Sequence, residues 1–143
     1  MKAQELMIGD LVKFPGWTVD KVVDMPYVEG KGLCASFAAS TTLFPFSIVD
    51  IEPIPLTPEI LEKNGFTYCK SDGGFYLPTT ISYGNWDVDV ILFNVTDEYR
   101  NNQLHIGTPD DSITFLHLME CNHVHELQHA LRLCGIEKEI VLQ

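Results

Sequence analysis

Over the first fifty residues, hydrophobic and polar positions alternate in short runs, and turns containing glycine or proline separate the runs. Pro15-Gly16 and Glu29-Gly30-Lys31-Gly32 are the strongest of these turn signals. Short runs that are rich in β-branched and aromatic side chains and bounded by such turns are typical of β-strands. The pattern therefore predicts the following strands: Leu11–Phe14, Trp17–Met25, Leu33–Ala38 and Ser47–Ile51.

A proline-rich segment follows these predicted strands. Pro53, Pro55 and Pro58 hold the chain extended and exclude a helix or a central strand. The short strands before it favour a small antiparallel β-barrel of the SH3-like kind, because closure of the sheet removes exposed strand edges. We therefore predict a small β-barrel over residues 1–52, a proline linker over 53–57 and an α+β domain over 58–143.

The second domain is predicted to begin with a short helix. Thr57 is placed as its N-cap, Pro58 as its first residue and Gly65 as its stop. Ser71-Asp72-Gly73-Gly74 is a hairpin signal, and Trp86–Phe93 alternates as a strand does. With a further hairpin downstream and a helix near the end of the chain, the predicted arrangement is α-β-β-β-β-α.

Residues 109–118 have two interpretations. In the first, Gln103–Ile106 and Ile113–Leu118 form a hairpin around Thr108-Pro109-Asp110-Asp111. In the second, the same Thr-Pro-Asp-Asp sequence caps and opens a helix. The hairpin is favoured, but the sequence allows both.

The clearest helix signal in the chain lies near its end. Asn122 is a candidate N-cap and Gly135 a candidate stop, with Ile136 placed for the apolar contact of a Schellman motif. At about 100° per residue, one apolar stripe forms from Val124, Leu127, Ala130, Leu131 and Cys134. His125 and His129 fall on the opposite side, which we expect to be polar. An amphipathic helix is therefore predicted to close the second domain.

The charge balance limits the classes of partner. Twenty acidic against nine basic residues give a formal net charge of −11. Binding to a phosphate backbone needs clustered Lys and Arg, so we expect no nucleic-acid binding by phosphate contacts. A carboxylate surface that imitates nucleic acid is one alternative function for so acidic a chain. A protein partner is the simpler expectation.

The cysteine pattern and the start of the chain indicate a reducing compartment. Cys34, Cys69, Cys121 and Cys134 include no Cys-x-x-Cys pair and stand among apolar neighbours. The first residues contain no apolar run long enough for a signal peptide, and no segment approaches the length of a membrane span. We therefore expect a cytoplasmic protein that does not bind membranes.

His125-Glu126-Leu127-Gln128-His129 matches the H-E-x-x-H pattern of zinc proteases. Two histidines at i and i+4 are neighbours on one helical face, so both can reach one zinc ion. Glu126 would then activate a zinc-bound water as the catalytic base. This pattern supports one alternative function, a small zinc-dependent hydrolase that uses His125, Glu126 and His129.

Two observations count against that hydrolase. A catalytic zinc needs a third protein ligand, and the chain after His129 is short and has Arg132 where a metzincin has glycine. The pattern also arises by chance in roughly one chain in a hundred of this composition. We therefore expect no enzymatic activity and no cofactor.

Three stretches of the chain carry a resemblance: Glu5–Val12, Pro53–Thr57 with Leu61 and Gly65-Phe66, and Val124–Gln128 with Leu131. Together they resemble an uncharacterised family of short bacterial proteins that is often found near prophages and other mobile elements. In that family, the positions of Glu126 and His129 are commonly Gln and Asn, and either residue would abolish a zinc protease. The resemblance therefore implies that the H-E-x-x-H pattern has a packing role here, and it implies no catalytic residue.

Aromatic residues of the predicted barrel provide the remaining candidate site. Phe14, Trp17 and Tyr27 could line a peptide-binding or ligand-binding groove, as aromatic residues do in barrels of this shape. The alternative is that most of them belong to the core. We predict a non-enzymatic accessory or binding protein of prophage or mobile-element origin, whose partner is another protein.

Overall fold

The computed structural model describes residues 1, 5–14, 18–38, 45–70, 74–83, 86–93, 103–108 and 113–142. The fold is α+β and has a curled antiparallel sheet and a C-terminal helix, as predicted. The chain divides into two compact units, Met1–Pro55 with His123–His125 and Leu56–Asn122 with Glu126–Gln143. The predicted linker at 53–57 lies at this division, but the grouping of 123–125 with the first unit was not predicted.

The strands of the first unit follow the predicted order. They are β1 (Leu11–Phe14), β2 (Thr18–Asp24), β3 (Tyr27–Val28), β4 (Gly32–Phe37) and β5 (Phe46–Ser47). The antiparallel sheet has the order β1-β2-β4-β3, and β5 also pairs with β4. A 3₁₀ turn over Ile48–Asp50 follows β5. The strand predicted over Ser47–Ile51 was therefore wrong for most of its length.

Strands β2 and β3 continue one register along β4. Asp24 is paired with Ser36, and three residues later Tyr27 is paired with Leu33. The register shifts by one residue between Val22 and Asp24, so Val23 is the extra residue of a β-bulge. Together, β2 and β3 are thus one bent strand of a hairpin whose other strand is β4.

The core of the first unit forms because one side of these strands is apolar. Val12 and Val22 are fully buried, and Phe37, Ile48 and Ile51 are buried with them. The ring of Phe14 stacks on Phe37 with a centroid distance of 4.7 Å and lies 5.2 Å from Phe46. Buried aromatic pairs of this kind contribute about 1 kcal/mol beyond the area that they bury.

Helix α1 (Pro58–Lys63) opens the second unit, and both of its ends follow the sequence prediction. The Thr57 side chain accepts a hydrogen bond from the backbone N–H of Ile60, which is the N-cap that was predicted. Hydrogen bonds from the backbone N–H of Glu59 and from Thr57 lower the pKa of the Glu59 carboxyl. Gly65 has a φ of 83° and ends the helix.

Five strands follow α1 in the described part of the second unit. They are β6 (Thr67–Cys69), β7 (Gly74–Tyr83), β8 (Trp86–Phe93), β9 (Gln103–Thr108) and β10 (Ile113–Glu120). Each strand is antiparallel to the next, in the order β10-β9-β8-β7-β6. Because β10 pairs with β9, the hairpin interpretation is confirmed for 113–118, while 109–112 lie outside the described residues.

Strand β7 is longer than its sequence predicted. By sequence, clear strand character is limited to Phe75–Leu77. Pro78 follows, and proline has no backbone N–H to donate to a sheet. The pairing of β7 with β8 has a register shift between Leu77 and Ile81. That irregularity allows β7 to continue past Pro78.

The end of the chain forms no strand over residues 137–141 and is held by hydrogen bonds from a side chain. The Nδ2 of Asn64 donates to the backbone carbonyl of Val141 at 2.7 Å, and Oδ1 of Asn64 accepts from the Val141 N–H at 2.8 Å. The same Nδ2 donates to the carbonyl of Ile60 at 2.7 Å. Asn64 is 3% exposed, and Ile140 beside its partner is also buried.

Candidate functional site

Helix α2 (Val124–Leu133) contains the H-E-x-x-H sequence. Four of the five residues in the predicted apolar stripe, Val124, Leu127, Ala130 and Leu131, are buried, and Cys134 is half-buried. Gly135 has a φ of 73°, and its N–H donates to the carbonyl of Arg132. The N–H of Ile136 donates to the carbonyl of Leu131 at 2.9 Å. These two bonds are a Schellman motif, so the predicted C-terminal stop is confirmed.

The start of α2 is built by backbone atoms. The helix begins at Val124, two residues after the predicted cap Asn122. The carbonyl of Asn122 accepts from the N–H of Leu56, and the N–H of Val124 donates to the carbonyl of Ile54. Pro55 and His123 form an isolated antiparallel bridge. The proline segment that was predicted to be a linker therefore hydrogen-bonds with the residues that lead into α2.

Glu126 turns back towards the start of its own helix. Its Oε2 accepts a hydrogen bond of 2.7 Å from the backbone N–H of Asn122. This contact resembles that of the acidic residue in a capping box, because a carboxylate of the first helical turn accepts from an N–H that precedes the helix. The negative charge also interacts favourably with the positive end of the helix dipole. The residue that would be the base of a zinc hydrolase therefore has a structural contact.

The Cys121 thiol is affected by the same carboxylate. Cys121 is fully buried, and burial, together with the nearby negative charge of Glu126, raises the pKa of its thiol. A raised thiol pKa means that the thiolate, which is the nucleophile and metal-binding form, is scarce at neutral pH. Cys121 is therefore an inert core residue beside Glu126.

The two histidines of the pattern occupy different environments. His125 is 3% exposed, so our expectation that it lies on a polar helix face was wrong, whereas His129 is partly exposed. The His125 ring stacks on that of His123, with centroids 5.7 Å apart and planes inclined by 19°. Gln128 is also buried. Burial on this side of the helix comes from tertiary packing, which helical periodicity alone does not reveal.

The described residues do not provide a metal cluster around the pattern. Within that part of the chain, no group of three or more His, Cys, Asp or Glu residues is arranged to hold a metal ion. His105 and His117 are direct register partners across β9 and β10. The third zinc ligand that the hydrolase requires is thus not found among the described side chains.

The two described aromatic residues of the predicted groove lie in different environments of the first unit. Phe14 is paired with Thr18 and packs into the core, whereas Tyr27 is paired with Leu33. Tyr27 is 78% exposed. Trp17 lies outside the described residues.

Exposed apolar side chains mark a different surface of the first unit, which the sequence analysis did not identify. Ile8 and Val23 are 61% and 46% exposed, and Met7 is also exposed. The N–H of Gly9 donates to the carbonyl of Val22 at 2.7 Å, and the N–H of Val22 donates to the carbonyl of Asp10 at 2.9 Å. These bonds place the segment containing Ile8 beside Val23. We call Met7, Ile8 and Val23 the apolar patch.

The apolar patch coincides with two irregularities of the backbone. Gly9 has a φ of 93°, which a residue with a side chain rarely adopts. Val23 is the extra residue of the β-bulge, and such bulges redirect side chains next to functional sites. The glycine in Ile8-Gly9-Asp10 indicates a turn before a strand. The sequence does not indicate that this turn lies beside Val22 or that Val23 is in a bulge.

Comparisons with family profiles, with curated proteins and with solved structures find no match to this chain. No helix in the described part of the chain has both the length and the apolar character that are needed to cross a membrane.

Proposed function

We propose that this protein is a non-enzymatic binding module whose first unit contacts another protein. The observation that carries the proposal is a set of large apolar side chains of this unit that are exposed. Among the described side chains, the large exposed hydrophobic residues of this unit are Met7, Ile8, Val19, Val23, Tyr27 and Val49. Exposed apolar side chains on neighbouring segments, such as those of Ile8 and Val23, are typical of protein-interaction sites.

The SH3-like description of the first unit belongs to this proposal. Its support is the chain path after β4, in which β5 leads into the 3₁₀ turn and the chain then reaches Glu52. The backbones of Glu52 and Lys13 exchange two hydrogen bonds of 2.9 Å, so Glu52 pairs with β1. Pairing of a late segment with the first strand is the kind of contact that closes small barrels, and it supports the SH3-like description.

A cytoplasmic location is a further part of the proposal. The four cysteines all lie within the described residues and form no disulfide bond. Thiols that remain reduced are the usual state in a reducing compartment. The origin from a prophage or another mobile element rests on the sequence resemblance alone.

The zinc-dependent hydrolase receives no support from the described contacts. Glu126 is hydrogen-bonded to the chain before its helix, and His125 is buried. The acidic nucleic-acid mimic is supported by the net charge of −11 and by no described arrangement of carboxylates. We therefore retain the protein-binding function as the conclusion.

Site-specific photo-crosslinking tests this function. A photoreactive phenylalanine analogue replaces Tyr27 in one variant of the full chain and Leu133 of α2 in a matched variant, since both positions are more than three-quarters exposed. Each variant is expressed in the native host and irradiated. We expect a discrete protein adduct from position 27 and none from position 133. Equal labelling from both positions, or none from either, would contradict the proposal.

A further inference from the structure

The apolar patch is built by two chain segments that carry acidic residues and no basic ones. Residues 5–10 contain Glu5 and Asp10, and residues 22–30 contain Asp24 and Glu29. Asp10 is buried and its Oδ2 accepts from the N–H of Met7 at 2.7 Å, so it shapes the turn that carries the patch. The other three acids are exposed. The acids closest along the chain to Met7, Ile8 and Val23 are Glu5, Asp10 and Asp24, whereas Glu29 lies beyond β3. The chain beside the patch is therefore acidic.

Basic residues stand just outside these segments. Lys21 precedes Val23 by two positions and is half-buried, and Lys31 follows Glu29 in the hairpin turn. Three exposed carboxylates against these two amines leave the neighbourhood negative, as is the chain as a whole with its net charge of −11. The negative local charge and the negative net charge both favour long-range attraction to a positively charged partner.

The same charges argue against a second copy of this chain as the occupant. In a two-fold symmetric pair, both copies present the same surface, so carboxylates of one copy, such as Glu5 and Asp24, would lie near carboxylates of the other. Like charges at an interface oppose association. A basic partner brings the opposite charge to the same positions.

We propose that the apolar patch binds a basic protein segment in which apolar side chains alternate with Lys or Arg. The apolar side chains cover Ile8 and Val23, and the basic groups lie against Asp24 and Glu5. This inference rests on the proposed protein-binding function and specifies its site and its partner chemistry. Because both contributions are needed, binding weakens when salt is raised and also when the apolar side chains are shortened.

The experiment uses nuclear magnetic resonance of the isotope-labelled full chain. The probes are a short peptide of alternating lysine and valine and its counterpart of alternating glutamate and valine. We expect the basic peptide alone to shift the amide signals of residues 8, 9, 22 and 23. Val23→Ser should weaken this binding about ten-fold. Leu133→Ser, at an exposed position of α2 outside the first unit, is the matched control and should leave it unchanged.

Each of the other outcomes overturns the inference. Equal effects of the two peptides would show that charge does not select the partner, and equal losses in Val23→Ser and Leu133→Ser would show that the effect is not specific to the apolar patch. Shifts of the same amides with protein concentration, without peptide, would identify a second copy as the occupant. Crosslinked adducts from position 27 without basic-peptide binding would refute only the partner chemistry, whereas loss of both would refute the protein-binding function as well.

Discussion

Asn64 binds the backbone of Val141 as a neighbouring strand would. One amide side chain gives a donor to the Val141 carbonyl and an acceptor to the Val141 N–H, at 2.7 and 2.8 Å. A primary amide has the same pair of polar groups as a peptide unit. The last residues of the chain are therefore fixed although they form no strand.

Asn64→Ala should lower the free energy of unfolding by about 2 kcal/mol, because three hydrogen bonds of a buried side chain are lost together. Urea unfolding of the full chain measures this loss. Amide hydrogen exchange gives a second readout, since the Val141 N–H should lose protection in the variant. Glu62→Ala, at an exposed position of α1, should change stability by less than about 0.5 kcal/mol. Similar effects of both substitutions would contradict the role of Asn64.

Gly135→Ala should cost about 1 kcal/mol of stability for a backbone reason alone. The φ of Gly135 is 73°, and an added Cβ would meet no atom within 4 Å. Since Cys134 precedes it, peptide ligation at that cysteine can introduce D-alanine at position 135. The D-residue should be at least as stable as glycine because it favours positive φ. If both alanines destabilise equally in thermal unfolding, a steric clash and not the backbone angle would be the cause.

Glu126→Ala should destabilise the protein by about 1 kcal/mol, because the Asn122 N–H loses its acceptor at the helix start. Glu126→Gln keeps an acceptor oxygen and should cost less. A metal chelator should leave the unfolding midpoints of both variants and of the parent chain unchanged. Elemental analysis of untagged protein provides the opposing test. One tightly held zinc per chain, lost on substitution of His125 or His129, would favour the hydrolase.

Stability should fall in alkaline solution through Cys121. Burial raises the folded pKa of this thiol above its ordinary value of 9.0. Below that pH the thiol is protonated in both states and has no effect. Above it, the unfolded chain releases a proton that the folded chain keeps, so stability declines by about 1.4 kcal/mol per pH unit. Urea unfolding between pH 8 and 10 should show a shallower decline in Cys121→Ala, and an unchanged decline would refute the assignment.

Local sequence signals predicted both ends of α1 and the C-terminal end of α2. Thr57, Pro58 and Gly65 lie where the sequence placed them, and so does Gly135. Capping depends on the residues within one turn of each end, so the sequence contains the whole signal. The start of α2 was less accurate, because its lead-in hydrogen-bonds with distant residues such as Ile54.

The features that the sequence did not predict depend on contacts between residues that are far apart along the chain. His125 is on the polar side of α2 by periodicity and is buried by its surroundings. The apolar patch needs the approach of Gly9 to Val22, and the fixed end of the chain needs Asn64. Each of these features joins segments whose register only the folded chain defines, and the candidate site was therefore less predictable than the helices.

The order of strands β6 to β10 has a consequence for the path of folding. Each strand pairs with its neighbour in sequence, so every hairpin of this sheet closes a short loop. Local pairing of this kind favours rapid folding. The bond between Asn64 and Val141 spans 77 residues, so we expect it to form after the rate-limiting step. Asn64→Ala should accordingly accelerate unfolding and leave the refolding rate unchanged in stopped-flow measurements, and a slower refolding rate would place this contact in the folding nucleus.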